Sequence, residues 1–292
     1  MKKNNAVVFG LTSDQVFAVA CVMMDLRCLS PGLVDEVVII HDGINRKDQK
    51  ILESILPTRF ILYDFPIKSA RVLNASSVRQ FTKMVFTKFE CLRLLDDYRN
   101  VMWLDYDIVV QGNLSELFSY CDVGIKFMPG DNSVRGQLHV PVSEYDMDAV
   151  GVGAGLFVFQ DQLKNYMQMH QFCYEELDKY AEILYMPEQA IFDFMIQYFD
   201  LKPVMIDSRV YSPHPTDQAL APSAKIIHAY GQPKFWNGLH NEQWERNYQA
   251  WIACGGSKYK GKSFVDKVAS KYKSAVLRLR CKIERLSEEK LQ

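Results

Sequence analysis

Two acidic residues, Asp105 and Asp107, interrupt an otherwise apolar stretch at residues 101–110. An ionised carboxylate is costly to bury unless another group neutralises it. Residues two apart in an extended segment point to the same side, so the two carboxylates can converge on one target. A hard divalent cation, which can in turn hold a diphosphate, suits such a pair. The alternative is that the strand ends near Leu104 and that both acids face water.

Other short segments carry motifs that give this pair a context. The Asp-x-Asp pair alone is weak evidence, because isolated pairs of this kind are common. Its combination with a later His-x-x-Gly-x-x-Lys pattern is much more specific. The segments are residues 11–17, residues 87–88, residues 153–159, residues 188–189, and His228-x-x-Gly231-x-x-Lys234-x-Trp236.

In their order and spacing these motifs resemble the retaining glycosyltransferases of family 8. The resemblance spans roughly residues 6–237 and is strongest to glycogenin-like members and bacterial lipopolysaccharide hexosyltransferases. It implies a GT-A fold, in which one Rossmann-like α/β domain holds a UDP-sugar through Mn2+. It also implies transfer of a hexose, glucose or galactose, from that donor to a hydroxyl of a glycan or glycolipid, with retention at the anomeric carbon.

Carried over by position, the resemblance makes Asp105, Asp107 and His228 the metal ligands. Two carboxylates, one imidazole and two phosphate oxygens form a mixed set that suits Mn2+ better than a closed zinc site. A cation and a lysine at this place would stabilise the negative charge that develops on the departing UDP.

The resemblance also assigns roles in donor binding and in the reaction. Lys88, Glu188 and Gln189 are expected to be catalytic, and Phe17 is expected to face the uracil ring, although packing in the core is its alternative. Gly231 would let its backbone approach the phosphates closely. The expected donor-binding residues are Leu11, Thr12, Asp14, Phe17, Lys88, Tyr106, Gly231 and Lys234.

Three positions depart from the usual family pattern. Gly153 replaces the asparagine of an Asn-x-Gly motif, Glu188 replaces aspartate, and Asp193 replaces an asparagine. In the family these positions line the pocket for the donor sugar, so the departures leave the identity of the donor open.

The elements that must position these residues indicate an α/β domain. Strands are predicted at residues 6–10, 37–40, 60–63, 101–110 and 154–159, and a long loop at residues 129–148. Because strands and helices alternate in the first half, we expect a largely parallel sheet with its ligands at the carboxyl ends of the strands. Helices are predicted at residues 17–29, 48–56, 81–95, 163–184 and 189–199.

Composition fits a globular enzyme that works in a reducing compartment. The 292 residues are 48% hydrophobic and 24% charged, with no apolar run long enough to span a bilayer. The seven scattered cysteines include no C-x-x-C pair, which favours reduced thiols over a disulfide framework. The first residues do not form a clean signal peptide. We therefore expect a cytoplasmic protein.

The end of the chain is basic, whereas the remainder is acidic. Residues 256–292 contain eleven Lys or Arg and four Asp or Glu, and apolar residues recur there at helical spacing. We therefore predict a catalytic domain at residues 1–255 and an amphipathic basic helix at residues 256–292. Such a helix suits peripheral contact with the inner face of an anionic membrane; docking on the body or a coiled-coil contact is the alternative. No motif for nucleic acid accompanies it.

Two other functions remain as alternatives at this stage. A catalytically weak protein could bind UDP-sugar or glycan without turnover, and Gly153 gives this some weight. A sugar-nucleotide nucleotidyltransferase would share the α/β domain and the acidic residues. It would need a glycine-rich, arginine-bearing loop after the first strand, and Leu11 to Asp14 do not provide one.

Overall fold

A computed structural model describes residues 2–261 of the chain. The body that contains every candidate site residue is one compact unit, Met1–Ser257. The basic helix predicted for residues 256–292 lies almost entirely outside the described residues. Among residues 2–261, no helix combines the length and the apolar character needed to cross a membrane.

The strands within residues 2–261 form one large sheet and one small sheet. They are β1 (Lys3–Leu11), β2 (Glu36–His41), β3 (Thr58–Leu62), β4 (Tyr98–Leu104), β5 (Ile108–Val110), β6 (Ile125–Ser133), β7 (Val150–Gln160), β8 (Val204–Met205) and β9 (Ile226–His228).

The large sheet has the order β3-β2-β1-β4-β7-β6-β8, and β5 pairs with β9 in the small one. In the described large sheet, β7 alone is antiparallel to its neighbours β4 and β6, whereas the other pairs are parallel. The predicted α/β class with a mostly parallel sheet is therefore confirmed.

Helices connect and cover the strands. In the described part of the chain the α-helices are α1 (Val16–Leu29), α2 (Arg46–Ile55), α3 (Ala70–Asn74), α4 (Ser76–Phe81), α5 (Glu90–Arg93), α6 (Tyr166–Tyr180), α7 (Pro187–Tyr198), α8 (Ser208–Tyr211) and α9 (Glu242–Ala253). Short 3-10 segments are Ser13–Gln15, Lys83–Phe89, Leu94–Asp96, Ser115–Phe118, Val134–Gln137 and Ala221–Ser223.

Two apolar layers enclose the large sheet. Ala6 and Val8 of β1 belong to a core cluster with residues of α5, α6 and α7. Val7 and Phe9 are fully buried but lie outside that cluster, as expected for side chains that point to the opposite face. Helix α1 is buried on nearly all sides from Val16 to Met23, because it packs against α2, α9 and β5.

Two of the predicted elements differ from the structure here, and one helix was not predicted. The helix predicted at residues 81–95 is broken at Thr82, whose φ of 64° is left-handed, and continues as a 3-10 segment and the short α5. The loop predicted at residues 129–148 begins as strand, because β6 continues to Ser133. Helix α9 was not predicted; its N-terminus is capped by Asn241, whose side chain accepts from the Trp244 N–H.

Candidate active site

The two acids Asp105 and Asp107 lie in a turn between two strands. Strand β4 ends at Leu104 and β5 begins at Ile108, so the prediction of one extended strand through both acids is wrong. The Asp105 N–H donates to the carbonyl of Gly155 at 2.9 Å, which ties this turn to β7. The acids do not face open water, because their side chains are only 27% and 14% exposed.

The small sheet brings His228 to these acids. Strand β9 runs antiparallel to β5, with His228 opposite Ile108, the residue after Asp107. The His228 Nε2 lies 3.1 Å from Oδ1 of Asp107 and 4.0 Å from Oδ2 of Asp105. One donor atom from each of the three residues lies within 4.8 Å of the others. The predicted convergence of these three side chains is therefore present in the fold.

Neighbouring residues fix the imidazole in this place. The hydroxyl of Ser212 lies 3.2 Å from His228 Nδ1, which orients the ring and leaves Nε2 toward the acids. Gly155 of β7 lies directly against the ring, since a Cβ at this position would sit 2.8 Å from His228 Cε1 and 3.3 Å from Asp105 Oδ2. A glycine is therefore required where β7 passes beneath the acids and the imidazole.

Two lysines neutralise the carboxylates. The ammonium of Lys234 contacts Oδ2 of Asp107 and donates to the carbonyl of Ala229 at 2.7 Å. The ammonium of Lys88 lies 3.3 Å from Asp105 Oδ1 and 3.1 Å from Glu188 Oε1. Each acid thus has a lysine partner from a distant part of the chain, which explains how both charges are tolerated with little solvent contact.

Burial and charge shift the pKa values of these groups in opposite ways. Burial opposes ionisation of Asp107, but His228 and Lys234 beside it outweigh that effect and hold the pKa of the carboxyl well below its usual range. Burial likewise opposes the charge on Lys88, yet Asp105 and Glu188 raise the pKa of its ammonium above the ordinary value. These contacts therefore favour the carboxylate form of Asp107 and the ammonium form of Lys88.

Tryptophan 103 supports this arrangement from β4. Its indole Nε1 donates to Asp105 Oδ1 at 2.8 Å, and the Lys88 ammonium lies 5.5 Å from the centre of its ring. The sequence motifs did not single out Trp103. Its position two residues before Asp105 was the available signal, because alternate residues of a strand share a face. Ser212, by contrast, had no recognisable signal.

The predicted donor-binding residues near the amino terminus follow β1. Leu11 ends the strand and is buried, whereas Thr12 is partly buried and Asp14 is exposed in the turn that leads to α1. The Ser13 N–H donates to Oδ1 of Asp42 at 2.7 Å, which joins this turn to the end of β2. The turn therefore lies at the carboxyl edge of the sheet, where parallel α/β folds bind ligands.

Phe17 occupies a different environment from the one predicted. Its side chain is fully buried, and its ring packs edge-on against Trp236, Trp244 and Tyr248. This burial favours the packing alternative, and contact of Phe17 with a uracil ring stays a prediction. Tyr106 is partly buried between the two acids, with its ring 6.3 Å from that of Trp236.

The remaining predicted residues are Gly231, Glu188 and Gln189. Gly231 is exposed, and its φ of 72° is left-handed, so a glycine is favoured there. Glu188 is buried against Lys88 in the first turn of α7, and Gln189 beside it is partly buried. The structure thus brings Glu188 to the acids through Lys88.

Asp193 is a buried acid further along α7. Its Oδ1 accepts from the Val152 N–H at 2.9 Å, whereas Oδ2 and the side-chain amide of Gln137 have no hydrogen-bond partner among the described residues. Burial raises the pKa of Asp193 to about 8, so this carboxyl is largely protonated at neutral pH. Gly151 permits this approach, since a Cβ there would lie 2.9 Å from Asp193 Oδ2.

The sequence matches one protein family over most of its length. The sequence model described as "Glycosyl transferase family 8" matches residues 6–240, most of the chain. The chain belongs to glycosyltransferase family 8. No sequence among curated proteins matches it.

Solved glycosyltransferases share the fold of this family 8 enzyme. An active-site mutant of LgtC has a TM-score of 0.65 at 14% identity, over 85% of this chain and 95% of LgtC. The bifunctional glycosyltransferase WbbM has a TM-score of 0.63 at 13% identity, over 87% of this chain and 51% of WbbM. GlyE of Streptococcus pneumoniae has a TM-score of 0.56 at 13% identity, over 87% of this chain and 64% of GlyE. The chain thus has the GT-A architecture and spans about half the length of WbbM.

The chemistry of the donor set fits a divalent cation. Asp105, Asp107 and His228 supply two hard oxygens and one imidazole nitrogen within 4.8 Å. Three protein ligands on one side leave coordination positions for a bound substrate, which distinguishes this set from a closed structural site.

Proposed function

We propose that this enzyme is a retaining, Mn2+-dependent hexosyltransferase. It would transfer glucose or galactose from a UDP-sugar to a hydroxyl of a glycan or glycolipid. The observation that carries the proposal is the convergence of Asp105, Asp107 and His228, with the His228 Nε2 only 3.1 Å from Asp107. LgtC, a galactosyltransferase of the same architecture, has been solved in complex with donor and acceptor sugar analogs, which supports a donor and an acceptor subsite here.

In this proposal, Asp105, Asp107 and His228 hold Mn2+, which supplies positive charge for the diphosphate leaving group. Lys234 lies against Asp107, so its ammonium adds a second positive charge at the edge where negative charge accumulates on the UDP. The turn at Leu11, Thr12 and Asp14 would hold the uridine and fix the donor relative to the acids. Tyr106 and the backbone of Gly231 complete the proposed nucleotide contacts.

Lys88, Glu188 and Gln189 would act at the sugar. The Lys88 ammonium lies 3.1 Å from the Glu188 carboxylate, so this ion pair would fix the orientation of the carboxylate toward the donor sugar. Gln189 follows it in the first turn of α7 and offers an amide that can donate to sugar hydroxyls. These side chains would orient the donor sugar so that the acceptor hydroxyl meets its anomeric carbon.

The alternatives differ in how well they fit. Membership in family 8 argues against the nucleotidyltransferase. A protein that only binds UDP-sugar would keep the metal ligands but release no UDP.

Release of UDP therefore provides the test. The protein is incubated with UDP-glucose, UDP-galactose or ADP-glucose, with Mn2+ or with EDTA. Water accepts the sugar in the absence of a glycan, and the released nucleotide diphosphate is quantified. We expect release from a UDP-sugar in Mn2+ alone, loss of release in Asp107→Asn, and normal release in Glu53→Gln, which changes an exposed acid on α2. Binding of UDP-sugars without release from any of them would overturn the catalytic proposal.

We further propose that the enzyme works in the cytoplasm, with residues 256–292 in peripheral contact with a membrane. The excess of basic residues in that segment supports this proposal. Sedimentation with vesicles that contain anionic lipid tests it, with zwitterionic vesicles and a chain ending at Ser257 as controls. Equal sedimentation of the full and shortened chains would refute the membrane contact.

A further inference from the structure

The metal ligands are shared between two separate sheets. Asp105 follows β4 of the large sheet, whereas Asp107 and His228 are held by β5 and β9 of the small sheet. An isolated two-stranded sheet is only marginally stable in water. The chain itself limits the separation of Asp105 from Asp107, but the orientation of Asp107 and the position of His228 relative to Asp105 depend on what holds the small sheet in place.

A buried hydrogen-bond cluster fastens the far end of β5. Asp25 of α1 is 4% exposed, and its Oδ2 accepts from the Val110 N–H at 3.2 Å. Gln243 of α9 donates from Nε2 both to Asp25 Oδ1 at 2.6 Å and to the Val110 carbonyl at 2.7 Å. Asn247 of α9 also donates to Asp25 Oδ1, at 2.6 Å. Strand β5 is thereby tied to α1 and α9 at its last residue.

These hydrogen bonds lie along the edge of β5 that is not paired with β9. Strand β9 pairs with the other edge, where the Ala229 N–H donates to the Asp107 carbonyl at 2.9 Å. Along a strand, the N–H and C=O groups of successive residues face alternate edges. Those of Val110 face away from β9, toward Asp25 and Gln243. The cluster and β9 therefore hold β5 from opposite sides.

The chemistry of the cluster requires an acid at position 25. Val110, Gln243 and Asn247 all present N–H donors, and an aspartate accepts at both of its oxygens. An asparagine would present an NH2 group to at least one of these donors. Burial raises the pKa of Asp25 to about 6, so the residue is retained as a carboxylate at neutral pH although its burial opposes the charge.

We infer that Asp25 is a positioning residue for the metal site, and that Gln243 acts with it. The two side chains fix the small sheet relative to the large one, and so set the orientation of Asp107 and the position of His228 relative to Asp105. This inference rests on the proposed function, because it assigns the cluster a role in Mn2+ affinity.

Mn2+ titration, followed by the electron paramagnetic resonance of free Mn2+, tests the inference without turnover. Asp25→Asn replaces one acceptor of the cluster with a donor, and Gln243→Leu removes the bond to the Val110 carbonyl. We expect the Kd for Mn2+ to rise about three- to tenfold in each variant. Asn247→Ala is the matched control, since it removes bonds to Asp25 and to the Cys21 carbonyl but none to β5. We expect its Kd to stay within about twofold of the wild type.

Thermal unfolding of each variant accompanies the titration and shows that a weakened site belongs to folded protein. Wild-type affinity in Asp25→Asn or, should that variant not fold, in Gln243→Leu would overturn the inference. So would an equal loss in Asn247→Ala, which would indicate general loosening. Failure of the wild type to bind Mn2+ would overturn the proposed function as well, whereas wild-type binding with unchanged variants rejects the positioning role alone.

Discussion

The imidazole of His228 lies 3.1 Å from the carboxylate of Asp107, although 121 positions separate the two residues in the chain. The contact follows from the pairing of β5 with β9, which places His228 beside the residue that follows Asp107. This pairing brings His228 to Asp105 and Asp107, which lie only two positions apart in the sequence. The consequences of this geometry can be measured.

Gly155→Ala tests the close passage of β7 beneath the site. Its Cβ would lie 2.8 Å from His228 Cε1, so the imidazole must move away from the acids. We expect Mn2+ affinity to fall by about tenfold or more. Calorimetric titration with Mn2+ measures the change. Gly112→Ala is the control, because its Cβ would meet the flexible side chain of Lys225 at 3.1 Å, and it should bind Mn2+ normally.

Lys88→Met tests the neutralisation of the buried acids. The change leaves Glu188 and Asp105 without their cation, and loss of one partner from a buried ion pair typically costs about 3–5 kcal/mol of unfolding free energy. Urea unfolding in metal-free buffer measures this loss. The double variant with Glu188→Gln should recover part of it, because one uncompensated charge is then absent. Equal stabilities of the single and double variants would contradict the ion pair as its source.

Asp193→Asn tests the protonated acid of α7. The pKa of Asp193 rises from 3.8 to about 8 on folding, so the folded state binds the proton more tightly. Its contribution to stability is therefore full below about pH 4 and declines as pH rises towards 8, by at most about 1.4 kcal/mol per pH unit. Unfolding free energies between pH 5 and pH 9 should show a flatter decline in the variant. An identical slope in both proteins would show that Asp193 is ionised throughout.

Phe17→Leu and Tyr106→Leu separate packing from nucleotide contact. Phe17 is fully buried among three aromatic rings, so its replacement should lower the unfolding free energy by about 1–3 kcal/mol and leave UDP affinity nearly unchanged. Tyr106 lies between the two acids and is partly accessible, so its replacement should weaken UDP binding in the presence of Mn2+. Fluorescence titration with UDP measures the UDP affinity of both variants, and urea unfolding measures the stability of Phe17→Leu. Weaker UDP binding in Phe17→Leu alone would restore the uracil assignment.

Sequence reasoning reached the class of the fold because periodicity and strand order are local signals. The strands β1, β2 and β3 were predicted within a few residues, since each is a short apolar run bounded by turn-forming residues. The break at Thr82 was missed because its left-handed backbone is imposed by the surrounding structure and has no glycine to mark it. Helix α9 was missed because its two buried tryptophans gave too little periodicity beside its polar residues.

The sequence motifs predicted the candidate metal ligands. They did not predict the residues that hold those ligands in place. The sequence motif named Asp105, Asp107 and His228, whereas the contacts that hold them arise from tertiary pairing. Gly155 beneath His228 and the bond from Ser212 become visible only when β7 and β9 are in place. The same limit explains Phe17, whose spacing fits both a buried helix face and a ligand wall.

The long stretch of sequence between Asp107 and His228 also has a consequence for biosynthesis. A ribosome-bound chain that ends before β9 already contains Asp105 and Asp107 but has no third donor, and its β5 lacks the strand that pairs with it. Tight binding of a cation should therefore begin only after the segment that contains β9 has left the ribosome and β9 has paired with β5. Metal uptake by this enzyme would then report completed folding, and prematurely terminated chains would remain metal-free.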